Sequence, residues 1–273
     1  MFKKAIPEFA KHGFVWFILF FAFFPFYLMV VISFKSNQQF TTNPFGWSRP
    51  LMTENWVYGW NIVGGLIANS IVVAICAVIL TLSCALMAAY VFGRYKFPGS
   101  NILWYALLSL LMLPAVANLI PLYFILKNLQ LLNTLVALFL VGAAVGQVMC
   151  IFVLRNFIED IPGELFEAAE IDGAGHVQRI KHVVLPMCAP IIGTLAIMQF
   201  LANWNNFILP LLVLADPNKY TIPVGIMMLQ GEYDKQWGKL MAAYVIASIP
   251  LVILFIFTMR LFVRGLARGA IKG

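Results

Sequence analysis

The chain has 273 residues, of which 62% are hydrophobic, 15% are aromatic and only 11% carry a charge. Ordinary soluble domains contain roughly a quarter charged residues, so a chain of this composition could not cover its surface with polar side chains in water. The composition therefore excludes a water-soluble monomer and indicates that lipid is the second solvent. The four cysteines lie in apolar runs without metal-ligand spacing, and we interpret them as small buried hydrophobes: Cys76, Cys84, Cys150 and Cys188.

Six stretches of the sequence lack charged side chains, and each is long enough to cross a ~30 Å hydrocarbon layer as a helix. Helices are required there because lipid offers no partner to free backbone N–H and C=O groups. The first stretch is too long and too rich in Phe for a cleaved signal peptide, so we predict that it is retained. The sequence predicts one all-α membrane domain over residues 1–273, with spans near 13–33, 67–92, 103–126, 135–155, 188–213 and 240–262.

The distribution of lysine and arginine predicts the topology. With a cytoplasmic amino terminus, the inner segments hold Lys3, Lys4, Lys11, Arg94, Lys96, Arg155, Arg179, Lys181, Arg260, Arg264, Arg268 and Lys272. The outer segments then hold Lys35, Arg49, Lys127, Lys219, Lys235 and Lys239. Because positive residues accumulate on the cytoplasmic side, this bias places both termini in the cytoplasm. The net charge of +7 thus needs no nucleic acid as a partner.

Neutral polar residues inside the spans are candidates for a solute pathway. Gln199, Asn203 and Asn206 follow helical spacing and share one face of the fifth span, and Trp204 flanks that face. Amides lining a pathway suit a neutral, hydroxyl-rich solute. The alternative is that such amides bond to neighbouring helices. Smaller polar positions complete the candidate pathway set: Asn118 and Tyr244.

The spans also carry information through what they lack. No Asp, Glu, Lys, Arg or His lies at hydrocarbon depth. Proton-coupled carriers and voltage sensors need such groups within the membrane, so these classes are disfavoured. In the fourth span, Gly142 and Gly146 form a small-xxx-small step that predicts close helix packing.

The inner loop 156–187 has the sharpest local pattern. Its first half predicts a short helix that Asp160 or a neighbour caps, that has Pro162 in its first turn, and that Gly173 ends in a left-handed cap. On that helix we expect one apolar side formed by Ile161, Leu165, Ala168 and Ala169. A second helix should follow until Pro186 redirects the chain into the fifth span.

The two adjacent alanines of this loop form a low ridge that a groove of another protein could clasp. Glu167 and Asp172 flank the ridge and offer acceptors to Arg or Lys of such a partner. The alternative is a surface helix resting on lipid, but anionic lipid would repel the acidic side chains. The pattern therefore favours a protein partner.

Several motifs of the chain resemble the permeases of ATP-binding-cassette importers. The loop contains Glu167-Ala168-Ala169, Asp172-Gly173-Ala174 and Leu185-Pro186, which are similar to the cytoplasmic coupling loop of that family. Further similarity over residues 67–273 points to the carbohydrate branch, and within it to the smaller permease of the maltose-importer type. This similarity lies in Asn69-Ser70, Arg94-Tyr95-Lys96-Phe97-Pro98-Gly99, Met112-Leu113-Pro114, Trp204-Asn205-Asn206-Phe207 and the ending Gly269-Ala270-Ile271-Lys272-Gly273.

The resemblance implies the type I importer fold in a bacterial or archaeal inner membrane, and a set of partners. These are a second homologous permease, two cytoplasmic ATPase subunits that hold ATP and Mg, a solute-binding protein outside the membrane, and a sugar. It also implies that Glu167, Ala168, Ala169, Asp172 and Gly173 couple this chain to an ATPase cleft, with motion passing through residues 164–182. No cofactor is expected on this chain itself.

The energy source must lie in a partner because the sequence contains no phosphate-binding loop of the form GxxxxGK[ST]. We expect a transporter subunit rather than an enzyme, since His12, His176 and His182 form no metal motif. Two alternatives stay open: a permease for another neutral or phosphorylated polyol, and a self-sufficient secondary carrier or channel. The outer loop 215–239 is a further candidate for contact with the binding protein.

Overall fold

The structure is a computed structural model that describes residues 8–230 and 236–270. Predictions about Lys3, Lys4, Lys235 and Lys272, and about the side chains of Arg260, Arg264 and Arg268, lie outside the described part. So do the end of the motif 269–273 and the tip of the outer loop 215–239.

Within the described ranges the chain forms helices and no strands. The α-helices are α1 (Glu8–Ser33), α2 (Asn37–Thr42), α3 (Glu54–Arg94), α4 (Ser100–Ser109), α5 (Leu119–Asn128), α6 (Leu135–Glu159), α7 (Gly163–Ile171), α8 (His176–Arg179), α9 (Leu185–Trp204), α10 (Ile208–Val213), α11 (Ile222–Gln230) and α12 (Trp237–Ala270). This architecture confirms the predicted all-α class.

Five helical stretches of the described chain are long and apolar enough to cross a membrane: Lys11–Ser33, Glu54–Arg94, Leu135–Glu159, His176–Trp204 and Trp237–Met259. Between 11% and 33% of the most apolar window of each stretch is buried. In water such exposed Phe, Leu and Ile side chains would be strongly unfavourable, whereas lipid solvates them. The exposure therefore matches five of the predicted spans.

The third predicted span, 103–126, is not one continuous helix as we expected. It consists of two shorter apolar helices, Ser100–Met112 and Leu119–Asn128. The interruption lies at Leu113, whose backbone is extended with φ −76° and ψ 125°. The next residue, Pro114, disfavours the helical region for its predecessor and has no N–H to continue the helix.

The fifth predicted span, 188–213, also differs from the expectation. Pro186 does not redirect the chain, because α8 continues through a π-helical turn, Ile180–Val184, directly into α9. A π turn widens the helix locally, so the helix can continue past Pro186 although this residue has no N–H to donate. The helix instead ends at Trp204, and residues 208–213 form the separate helix α10.

The chain divides into two compact units, whose described residues are 8–65 with 225–230 and 236–250 in the first and 66–224 with 251–270 in the second. The prediction of a single membrane domain stays a prediction.

In the first unit the chain after α1 is organised by Lys35. This side chain is only 1% exposed, and its Nζ donates to the carbonyl oxygens of Asn43 and Pro44. Burial lowers the pKa of Lys35 from its ordinary value, since a low-polarity environment disfavours the charged form.

In the second unit an apolar cluster lies between the carboxyl-terminal half of α3, α6, α7 and the start of α9. Buried members from these four elements include Tyr90, Leu154, Phe166 and Cys188. The cluster holds the loop 156–187 against the long helices, because Phe166 of α7 belongs to it.

Candidate coupling loop and transport cleft

The loop between α6 and α8 is a helix followed by a tight turn. The N–H of Ala174 donates to the carbonyl of Ala169 at 2.8 Å, and the N–H of Gly173 donates to that of Glu170 at 3.0 Å. This pair of bonds is the Schellman arrangement, which requires a left-handed residue after the helix. Gly173 provides it with φ +76°, as the sequence predicted.

The start and the buried side of α7 differ from the prediction. Its N-cap is Pro162, which has no side chain that could accept a cap bond, whereas Asp160 lies at the end of α6. The buried residues are Ile161 and Phe166, while Leu165 is exposed. Phe166 is the buried side chain of α7 because its ring stacks on Tyr90 of α3, with 6.3 Å between the ring centroids. The helical pattern of α7 alone could not predict this contact.

The opposite side of the loop is open. The candidate coupling residues Glu167, Ala168, Asp172 and Gly173 are exposed, and Ala169 is half-buried. Two large apolar side chains beside them are also exposed, Ile171 by 87% and Val177 by 78%. The loop thus presents small, acidic and apolar groups together. Exposed apolar side chains beside polar ones are typical of a surface that another protein covers.

An arginine that sequence reasoning did not single out fixes the angle of the loop. Arg179 of α8 donates through Nε to the carbonyl of Ala174 at 2.9 Å, and its Nη1 lies 3.4 Å from a carboxylate oxygen of Glu170. The guanidinium therefore joins the end of α7 to the start of α8 across the glycine turn.

A second missed contact ties the loop to α3. The Oη of Tyr95 lies 3.1 Å from Nδ1 of His176, and Arg94 stacks its guanidinium over the Phe166 ring at 3.8 Å. Arg94 also donates to the carbonyl of Ile161 at 3.2 Å. The available signal was the basic and aromatic run from Arg94, whose positive charges predicted the topology but did not indicate a contact with the loop.

A cleft of about 330 Å³ lies along α6 and α9. All three amides predicted on one face of the fifth span line it, and so do both glycines of the fourth span: Gln199, Asn203, Asn206, Gly142 and Gly146. A Cβ at Gly142 would overlap the side-chain oxygen of Asn203, and one at Gly146 would overlap that of Gln199. The small-xxx-small step thus allows a close approach, but its partners are amides.

The amides serve the helices as well as the cleft. The Nδ2 of Asn203 donates to the carbonyl of Gln199 at 2.8 Å, and Oδ1 of Asn206 accepts from the N–H of Leu209 at 3.4 Å. Asn203 is 9% exposed, whereas Asn206 is half-buried and more accessible. Asn206 is therefore the better candidate for contact with a solute.

Three other residues of the predicted pathway lie elsewhere among the described residues. Trp204 is 3% exposed and stacks on Phe200, with 5.4 Å between ring centroids. Asn118 is exposed at the start of α5. Tyr244 lies on α12 in the first unit. None of these side chains lines the cleft, and their role in a pathway stays a prediction.

Comparison with known proteins places the chain in a family. Residues 81–268 match the family described as binding-protein-dependent transport system inner membrane component. A diacetylchitobiose uptake system permease protein of Streptomyces coelicolor is 32% identical over 91% of this chain and 83% of its own length. An arabinooligosaccharides transport system permease protein of Halalkalibacterium halodurans is 33% identical over 94% of each chain.

A solved structure shows the same fold. The crystal structure of a bacterial ABC transporter involved in the import of the acidic polysaccharide alginate matches with a TM-score of 0.81. The match covers 93% of this chain and 95% of that chain at 17% identity. The chain therefore belongs to the family of binding-protein-dependent transport system inner membrane components, as a multi-pass permease subunit of the ABC importer type and not as an enzyme.

Proposed function

We propose that this chain forms half of the transmembrane pathway of an ATP-driven importer for a sugar or oligosaccharide. The observation that carries the proposal is the coupling loop, which is held on one side by α3 and exposes Glu167, Ala168 and Ile171 on the other. Within this family such a surface has a defined use: an ATPase subunit covers it, and its movement is passed to the membrane helices.

The substrate class rests on the relatives and on the chemistry of the cleft. The two relatives described above are named for uptake of diacetylchitobiose and of arabinooligosaccharides. The side chains that line the cleft of this chain are amides, glycines and apolar residues without charge. Amides donate to and accept from hydroxyl groups, so a neutral carbohydrate suits this lining better than an ion does.

The proposal includes partners and an orientation. A second permease completes the pathway, two ATPase subunits bind ATP and Mg, and a solute-binding protein delivers the sugar, with residues 215–239 as the candidate contact. The chain lies in a bacterial or archaeal inner membrane with both termini in the cytoplasm, since the basic residues accumulate on that side. The coupling loop then faces the ATPase subunits.

The proposal is tested with the purified complex in proteoliposomes. We expect ATP-dependent uptake of at least one sugar from a panel that includes diacetylchitobiose and arabinotriose, and no uptake without ATP. Uptake of a polyol or a phosphorylated polyol instead would overturn the substrate class. ATP-independent transport by this chain reconstituted alone would identify a self-sufficient carrier or channel and would overturn the coupling mechanism.

We expect Asn206→Leu to reduce the uptake rate of that sugar without dissociating the complex. The substitution removes an accessible amide from the cleft, and a lost hydrogen bond of about 1.4 kcal/mol corresponds to roughly ten-fold. Asn205→Leu is the matched control, because Asn205 is exposed and does not belong to the residues lining the cleft. Equal uptake kinetics for the two variants would contradict a pathway role for Asn206.

A further inference from the structure

Within the second unit, α3 is held at two separated places, and each holds a segment that is distant in sequence. One place lies at its carboxyl-terminal end, against the coupling loop. The other lies near Asn69 and Ser70, against the segment 216–222 that follows α10. The chain itself connects the coupling loop to α6 and α9, so α3 can follow the loop only through side chains.

At the coupling end, three polar side chains form a closed cluster. The Oη atoms of Tyr90 and Tyr95 are 2.8 Å apart, and Nδ1 of His176 lies 3.4 Å from the first and 3.1 Å from the second. His176 is the first residue of α8, directly after the glycine turn. Tyr90 is only 2% exposed and also stacks on Phe166, so both helices of the loop contact this end of α3.

At the other place, two polar side chains of α3 bind backbone groups. Nδ2 of Asn69 donates to the carbonyls of Asn218 at 2.8 Å and Tyr220 at 3.0 Å. Oγ of Ser70 accepts from the N–H of Ile222 at 2.9 Å, and Ser70 is 2% exposed. Three backbone groups of one short segment are thus held by adjacent residues of α3, and water has little access to the innermost bond.

Between the two places, α3 has the properties of a stiff element. From Asn69 to Tyr90 it is continuous α-helix without proline, and at 1.5 Å per residue this distance is about 30 Å. Thr81, midway, is fully buried against α6, with its methyl group beside Gly146. A shift or tilt imposed at one end therefore reaches the other end without an obvious point of bending.

We propose that α3 is a mechanical link that carries movement of the coupling loop to the segment 216–222. Tyr90 and Tyr95 hold the loop through His176, and Asn69 and Ser70 hold the segment through its backbone groups. These are positioning residues, and their role rests on the proposed function. By reciprocity of coupling, whatever the segment contacts would in turn bias the coupling loop.

The test measures movement at the segment without using a sugar. The complex in lipid nanodiscs carries Ala215→Cys, a reporter at an exposed position next to the segment, and labelling of the parental complex is subtracted. The rate of maleimide labelling is compared with and without Mg²⁺ and a non-hydrolysable ATP analogue, adenosine 5′-(β,γ-imido)triphosphate. We expect the analogue to change this rate by about five-fold, a typical size for coupling between sites.

Substitutions at the two contact places of α3 should then remove that response. In His176→Phe and in Asn69→Leu we expect the ratio of labelling rates with and without the analogue to be near one. A variant with both substitutions should be no more affected than either single variant, since the two contact places act in series. His176→Asn should retain the response, because its side-chain amide offers Tyr95 both a donor and an acceptor near the position of Nδ1. Size-exclusion elution and basal ATPase activity check that each complex is assembled.

The proposal is overturned if both single variants keep the wild-type ratio, or if the analogue leaves the wild-type rate unchanged. Loss of the response in His176→Asn as well as in His176→Phe would equally count against a hydrogen-bonded contact between His176 and the two tyrosines. These outcomes are separate from failure of the proposed function, which would be an absence of ATP-dependent sugar uptake by the wild-type complex.

Discussion

Gly173→Val should abolish solute-stimulated ATPase activity of the assembled importer while the chain still inserts in the membrane. Gly173 has φ +76°, and an added Cβ would meet nothing within 4 Å, so the conformation and not the space is decisive. A β-branched residue in the left-handed region costs about 1–3 kcal/mol. Opening of the turn between α7 and α8 relieves that strain. A strain of 1.4 kcal/mol already shifts the equilibrium between the native and the opened turn by about ten-fold.

The measurement is the ratio of ATPase rates with and without the loaded solute-binding protein. Gly175→Val is a closely matched control, because a Cβ added at Gly175 also meets nothing within 4 Å, but Gly175 has φ −70°. We expect this control to keep the stimulation, and we expect Gly173→Asn to keep part of it, since asparagine tolerates the left-handed region. Similar losses for the two valine variants would show that the turn geometry at Gly173 is not what coupling requires.

The spans and the coupling loop were accessible to sequence reasoning because each rests on a local signal. A charge-free run of sufficient length has no good alternative to a membrane helix, and five of the six runs contain long apolar helices. The turn at Gly173 was equally local, since a glycine after an amphipathic run has a specific conformational use. The bounds of the third and fifth spans were predicted wrongly because the effect of a proline is not local in this sense. A helix ends before Pro114, whereas a helix continues past Pro186 through a π turn, and composition does not distinguish these two outcomes.

The site was only partly predictable because several of its contacts join distant residues. The amide face of Gln199, Asn203 and Asn206 follows from helical spacing and does line the cleft. The bond between Tyr95 and His176 spans 81 residues, and tyrosine at the end of a membrane helix has an interfacial interpretation that needs no partner. Similarly, the spacing of Gly142 and Gly146 predicted close packing but could not identify an amide as the group packed there.

The close packing at Gly142 leads to the second large expected effect. Gly142→Ala should destabilise the complex, although alanine favours helices by about 1 kcal/mol over glycine. The new Cβ would overlap the side-chain oxygen of Asn203, and such overpacking costs about 1–3 kcal/mol. The measurement is the thermal unfolding midpoint of the purified complex. Gly65→Ala is the control, because a Cβ there meets nothing within 4 Å and should leave the midpoint unchanged or raise it.

A compensating variant separates this steric cause from a general loss of packing. Asn203→Ala removes the oxygen that the new Cβ would meet, although alone it loses the bond to the Gln199 carbonyl, worth about 1 kcal/mol. We therefore expect the double variant Gly142→Ala/Asn203→Ala to be more stable than Gly142→Ala alone. Additive losses would place the cost of Gly142→Ala somewhere other than the contact with Asn203. Recovery of stability without recovery of sugar uptake would further assign to Asn203 a role in transport that packing does not explain.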